Sequence, residues 1–301
     1  IFTSHIFFKF LMNQIKIFIE LTRLNKPIGF MLLFWPCGWG LALSYSYNQN
    51  LDKTIYYLIL FFLGSILMRS AGCIINDIVD KDLDKKIKRT KYRPLASKKI
   101  TITKSLIYVV ILCLLAFIIL IQFNKLTIIL GLLSMFLAFS YPYMKRITYW
   151  PQLFLGLTFN WGIIMAWTSI NNFISIEIII FYIAAIFWTL GYDTIYGTQD
   201  IIDDEIIGVK STSIKFKKSI KNFVSLCYLI SSILISFIVF DKMKTFLPSI
   251  FMLIFFLNLA YQIKIFSIKR PQKSLIAFKN NNITGFILFC AILLTSNNLY
   301  L

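Results

Sequence analysis

Hydrophobic residues run through this chain in long unbroken stretches, separated by short polar segments. Nine stretches approach the roughly 20 helical residues needed to cross a hydrocarbon layer about 30 Å thick. They cover 24–47, 54–75, 105–122, 126–144, 151–171, 175–196, 219–240, 245–266 and 281–301. The runs are continuous and rich in Ile, Leu and Phe. They therefore predict helices, not the alternating strands of an outer-membrane barrel. Pro36 should kink the first span or widen it locally, and the short FNK at 123–125 makes the third and fourth an antiparallel hairpin. Residues 1–23 differ, because Lys9, Lys16 and Glu20 interrupt the apolar sequence. They predict an amphipathic helix on the membrane surface, with no small-residue cleavage site to mark a signal peptide. The expected organisation is an N-terminal interfacial helix, 1–23, followed by a single transmembrane domain, 24–301.

Composition supports an all-α, polytopic membrane bundle. The 301 residues are 58% hydrophobic and 15% charged, with a mean hydropathy of +0.75. A net charge of +18 would suit nucleic acid if it were spread evenly, but it is not. With the N-terminus in the cytoplasm, 26 Lys and Arg fall on the cytoplasmic side and 4 on the other, and Arg69 lies inside a span. That asymmetry obeys the positive-inside rule, so the charge addresses a lipid bilayer and not nucleic acid. It also puts the C-terminus outside. The five cysteines lie in or beside spans without a C-x-x-C pair and read as packing residues. One histidine, His5, leaves no His-based zinc site or Ser-His-Asp nucleophile within the sequence.

The acids change the picture most. Nine of thirteen gather in two places, both on the cytoplasmic side. Asp77, Asp80 and Asp84 follow the second span at i, i+3 and i+7, one helical face. Asp193, Tyr196, Asp200 and Asp204 close the sixth at i, i+3, i+7 and i+11, flanked by Asp203 and Glu205. The repeated arrangement, four spans apart, hints at an internal duplication. Carboxylates about 5 Å apart repel by about 3 kcal/mol per pair at an effective dielectric of ~20, so such clusters take up cations. Oxygen ligands without His or Cys select Mg2+, Mn2+ or Ca2+. Basic residues follow each cluster: Lys88, Arg89, Lys91 and Arg93, then Lys210. Divalent ions with opposing Lys and Arg make a receptor for a diphosphate, and a bundle below can hold a hydrocarbon tail. Arg69, inside a span, costs at least ~2.5–3.5 kcal/mol there and calls for an acid or a ligand. Arg146 stands among Tyr141, Tyr143, Tyr149 and Trp150, which reads either as an interfacial belt or as a pocket for a small acid. Arg23 and Lys26 are either interfacial anchors or ligands. Asn160 must find a partner within the bundle. The last three spans, with Asn258 and the SNN at 296–298, read as scaffold.

NDIVDKDLD, followed by Arg89 and Arg93-Pro94, resembles the N-D-x-x-D-x-x-x-D motif of the UbiA family of membrane prenyltransferases. DTIYGTQDIIDD resembles that family's second motif on Asp193, Tyr196, Asp200 and Asp204. The likeness runs from about residue 20 to the end. LNKPIGFMLLFWP, RPLASKKI and YPYMKRITYWPQLFLGLTFNWG are similar to the members that prenylate 4-hydroxybenzoate in ubiquinone synthesis. The resemblance implies a nine-helix bundle open laterally to lipid and capped on the cytoplasmic side by the two acidic loops. It implies transfer of a polyprenyl group from polyprenyl diphosphate to the ring carbon beside the hydroxyl of 4-hydroxybenzoate. Mg2+ would be held by Asp77, Asp80, Asp84, Asp193, Asp200 and Asp204. Asn76, Lys88, Arg89, Arg93 and Lys210 would bind the diphosphate. Arg69, Arg146 and Asn160 would contact the acceptor, Arg146 matching a family position implicated in acceptor binding, and Asp193, Tyr196 and Arg69 would serve the chemistry. The setting implied is a bacterial inner membrane, or a mitochondrial inner membrane if the source is eukaryotic, with room for association with other quinone-synthesis enzymes. Two other readings remain at this point: a relative with another acceptor, such as dihydroxynaphthoate or haem, and a multi-span transporter with a cation site.

Overall fold

The computed structural model describes residues 2–296. Helices run α1 Phe2–Thr22, α2 Ile28–Asn48, α3 Leu51–Val79, α4 Lys81–Asp84, α5 Ile102–Leu120, α6 Lys125–Ile147 and α7 Pro151–Asn171. They continue with α8 Ile176–Gly197, α9 Ile201–Ile207, α10 Thr212–Lys215, α11 Ile220–Phe240, α12 Leu247–Ile265, α13 Pro271–Lys279 and α14 Asn281–Leu293. Among the described residues nine helical spans are long and apolar enough to cross a membrane, α13 and α14 counting as one. Eight of them begin and end within a few residues of the expected stretches.

The ninth differs. The apolar run predicts 281–301, but the span covers Pro271–Leu293, and 297–301, with Asn297 and Asn298, lie outside the described residues. Pro271 opens α13 at a position where its missing N–H costs nothing. Ser274 and Ala277 are buried on one face of a helix that also carries Gln272, Lys273 and Lys279. Hydropathy alone therefore places the start too late.

The heart of the bundle is α2, α7 and α8. A Cβ on Gly40 would lie 2.5 Å from the Ile163 carbonyl oxygen, and one on Gly162 would collide with the Cys37 sulfur. These two glycines let α2 and α7 touch backbone to backbone, as small residues do in lipid. Trp39 is fully buried, 4.8 Å from the Trp188 ring, and its Nε1 donates to the Gly285 carbonyl at 2.8 Å. Helix α2 continues through Pro36. By contrast α5 packs mainly on α3, and α6 on α7. Their outer faces expose Ile107, Leu114, Ile118, Leu133 and Phe136, as lipid-facing residues should.

Amides tie the far side together. Gln262 donates to Asn258 (3.1 Å) and Thr284 (2.9 Å) and accepts from Tyr228 (2.7 Å) and Asn281 (2.9 Å). Asn258 is thus part of the glue between α12 and α14. At the N-terminal end, Ile17 and Leu21 of α1 are buried against Ala71 and Ile74 of α3 and Leu95 of the following loop.

A composite candidate active site

Both acidic segments are helix ends that break in the same way. Helix α3 stops at Val79, Asp80 takes φ −94° and ψ 2°, and the short α4 follows. Helix α8 stops at Gly197, Asp200 takes φ −115° and ψ 10°, and α9 follows. The single continuous face expected for each cluster is therefore two short faces meeting at an aspartate. Asp80 and Asp200 each stand at the N-cap of the next helix, where aspartate normally accepts from the first-turn N–H groups. Neither side chain does so. Both are turned to partners elsewhere.

The partners are cations brought from distant parts of the chain. Asp77 is 1% exposed and takes Arg23 and Arg93, the latter at 3.1 Å. Asp84, also buried, accepts from Arg93 at 2.8 Å. Asp80 takes Lys145, and Arg146 lies 3.8 Å away. Asp200 takes the Arg89 guanidinium, whose Nε lies 2.9 Å from Oδ1 and whose Nη1 reaches the Tyr196 hydroxyl at 3.2 Å. The Lys88 backbone N–H donates to Asp203 at 3.3 Å. These contacts join the loop after α4 to the segment from the end of α8 into α9, so two clusters more than a hundred residues apart form one rim. Arg23 holds a left-handed backbone (φ 57°), which costs on the order of 1 kcal/mol for a residue with a Cβ. Its ion pair with Asp77 helps offset that strain.

Burial pushes the Asp80 carboxyl above the usual range against the pull of Lys145. Burial, helped by the nearby Asp200 charge, pushes Asp204 up to about 6. Among the described residues Asp77 Oδ2 and Asp80 Oδ1 are buried without a hydrogen-bond partner. Among the described residues no three acids, histidines or cysteines already converge as a metal-holding group. The cations hold the carboxylates apart. The donor set still suits a hard divalent cation, because it is all oxygen and two of the oxygens are buried and unsatisfied.

Beneath the rim lies a cavity of about 1390 Å³. Its mouth carries Arg23, Asn76, Arg89, Arg93, Asp193 and Tyr196. Deeper, Phe61, Phe117, Leu132, Met135 and Trp161 make an apolar wall. Arg69 also lines it, with its guanidinium 5.2 Å from the Phe159 ring centre and its buried Nε without a partner among the described residues. Tyr141 and Tyr192 complete that wall.

Several expected residues stand elsewhere. Asn160 is fully buried between α7 and α8, donating to Gly156, Ala185 and Thr189 at 2.8, 3.1 and 2.8 Å. It does not line the cavity, because those acceptors draw its amide into the helix interface. Lys210 donates to the Ile147 carbonyl at 3.1 Å and lies over Tyr149, and Lys88 is exposed outside the cavity. Arg146 is nearly half exposed and donates to the Val79 carbonyl. Lys145, counted in the sequence only as a topology charge, and Gln199, which lines the cavity, were missed. Arg23 left an anchor reading open. A lone cation beside a span gives no signal of a partner 54 residues away.

Sequence and structure comparisons place the fold. The profile of the UbiA prenyltransferase family matches residues 33–291. The mitochondrial 4-hydroxybenzoate polyprenyltransferase of Drosophila melanogaster is 43% identical over 216 residues, 71% of this chain and 55% of that protein. The 4-hydroxybenzoate octaprenyltransferase of Psychromonas ingrahamii is 40% identical over 281 residues, 92% of this chain and 95% of that protein. The matched region spans little more than half the length of the first mitochondrial relatives. The apo structure of a UbiA homolog from Aeropyrum pernix K1 superposes with a TM-score of 0.73 at 21% identity, over 88% of this chain and 97% of that one. A UbiA homolog from Archaeoglobus fulgidus bound to GPP and Mg2+ gives 0.68 at 16% identity, over 93% and 99%. Those two likenesses are of fold. With a rim of paired acids and arginines above an apolar cavity, and a family profile covering most of its length, the chain belongs to the UbiA prenyltransferase family.

Proposed function

We propose that this protein transfers a polyprenyl group from polyprenyl diphosphate to 4-hydroxybenzoate, at the ring carbon beside the hydroxyl, as a step of ubiquinone synthesis. Its place would be the bacterial inner membrane, or the mitochondrial inner membrane if the source is eukaryotic, with the acidic rim on the cytoplasmic or matrix side. Residues 1–23 would be the interfacial helix and 24–301 the catalytic domain. The observation that carries the reading is the joining of the two clusters by Arg89, Asp200 and Tyr196 at the mouth of one apolar cavity. The names of relatives at 40% identity or more support the acceptor.

Asp77, Asp80, Asp84, Asp193, Asp200 and Asp204 would hold Mg2+, whose charge would make the diphosphate a better leaving group. Arg89 and Arg93, now paired with acids at the cavity mouth, can turn their guanidiniums to diphosphate oxygens. Asn76 stands beside them. The allylic C–O bond breaks, the diphosphate leaves with the electron pair, and the ring carbon of the acceptor forms the new C–C bond. The ring proton then departs to a base, for which the Asp193 carboxylate in the cavity wall is the candidate. The apolar wall keeps water from the allylic cation. Tyr196, its ring 4.4 Å from that of Phe278 and tilted 42° to it, offers it a π face. Of the two candidates for the acceptor carboxylate, Arg69 is favoured over Arg146, because it lies in the cavity with an unsatisfied donor.

The test is product identification. Membranes containing the protein are incubated with Mg2+, a polyprenyl diphosphate and a panel of aromatic acceptors. Prenylated 4-hydroxybenzoate is expected. Prenylation of a different acceptor in its place would overturn the substrate assignment.

A further inference from the structure

A second charged hollow stands apart from the cavity. Where α11 and α13 begin and α12 ends, a groove of about 570 Å³ opens, sharing no lining residue with the cavity. It lies at the acidic end of the bundle, since Lys217 on its edge pairs with Glu205 at 2.6 Å. Seven basic side chains line it and, among the described residues, no acid does. Among the described residues, Lys218, Lys221, Lys264, Lys269, Arg270 and Lys273 have no ion-pair partner. The cations at the rim behave differently: Arg23, Arg89, Arg93 and Lys145 are all neutralised by aspartates.

One helix start adds to this field. Helix α13 begins after Arg270, whose side chain does not cap it, so the start presents partial positive charge to the groove. The floor is apolar, with Ile220 and Phe266 buried. Just beyond it the bundle's outer surface exposes Leu226, Leu229, Leu257 and Tyr261. Six cations without acidic partners among the described residues offer a site for an anion at this span end, and the apolar flank one for a hydrocarbon.

We propose that this groove binds the headgroup of an anionic phospholipid from the same leaflet, with its acyl chains along the exposed faces of α11 and α12. Basic pockets between span ends suit such headgroups. An inorganic phosphate would use the cations but leave the apolar flank idle.

The test uses the full chain in phosphatidylcholine nanodiscs carrying trace spin-labelled phosphatidylglycerol, reading the motionally restricted fraction. Phosphatidylglycerol should be restricted in preference to labelled phosphatidylcholine. The triple variant Lys221→Gln/Lys264→Gln/Arg270→Gln should weaken that preference on the order of 100-fold. Lys264→Arg should retain it. A control triple on the other basic loop, Lys81→Gln/Lys86→Gln/Lys98→Gln, should leave it unchanged. Equal restriction of both lipids overturns the proposal. So does an equal loss in the control, which would make the attraction diffuse. Abolition by millimolar inorganic phosphate would make free phosphate the occupant and overturn the lipid assignment. If the triple variant misfolds, Lys264→Gln alone, at about a fivefold loss, keeps the same outcomes.

Discussion

The two acidic clusters share a spacing and a helix-break-helix design, yet they are built for different conditions. Asp77, Asp80 and Asp84 are 1%, 1% and 4% exposed. Each is met by a cation from another part of the chain: Arg23 and Arg93, Lys145, and Arg93 again. At the second cluster the Asp200 side chain is 15% exposed and its Arg89 partner 40% exposed, and Asp204 is only half-buried. The first cluster is a sealed and internally neutralised store of charge. The second is the open side, where solvent can still share the load. A buried charge stripped of its partner is costly, whereas an exposed pair is worth little. Equivalent mutations in the two clusters should therefore have unequal consequences.

The largest expected effect is on turnover, and it is common to both. Asp77→Asn and Asp200→Asn should each lower kcat on the order of 10²–10³-fold, as loss of a charge-stabilising group does. Retained activity in both variants would break the proposed metal arrangement. Stability should then separate them. Asp77→Asn leaves Arg23 and Arg93 without their shared carboxylate and should cost about 3 kcal/mol, seen as a lower melting temperature in detergent. Asp200→Asn should cost less than about 1 kcal/mol. Equal losses would erase the contrast between a sealed and an open cluster.

Acceptor binding gives a smaller and more selective effect. Arg69→Gln should raise the KM for 4-hydroxybenzoate about tenfold, the scale of a lost hydrogen bond to a charged group, and leave the KM for prenyl diphosphate unchanged. Arg146→Gln should do less, since that side chain is half exposed on the Val79 carbonyl. The smallest effect concerns pH. Asp204, raised to about 6, gains its proton as pH falls through that value, and the proton then competes with a cation. Half-saturating Mg2+ should rise below about pH 6, and Asp204→Asn should flatten that rise.

The bundle was legible because each span is an apolar run of the length a bilayer demands. The ninth was displaced because α13 is helical through Pro271 and a buried Ser274/Ala277 stripe, which carry little hydropathy. The acids of the proposed site stood out because they are scarce and recur in register. Their partners were not. Arg23 and Lys145 sit where topology alone explains a cation, and only the fold brings them to Asp77 and Asp80. Asn160 shows the opposite error. A polar residue in a span reads equally well as ligand or as interhelical glue, and the Gly156, Ala185 and Thr189 acceptors decide for glue.

The central claim is that the two clusters act as one site. A double-mutant cycle on Arg89 and Asp200, read as kcat/KM for prenylation of 4-hydroxybenzoate, tests it most directly. The account predicts strong coupling: Arg89→Gln/Asp200→Asn should be about as slow as the slower single variant. Losses that simply add would mean that the loop after α4 and the segment after α8 work independently, and would contradict it.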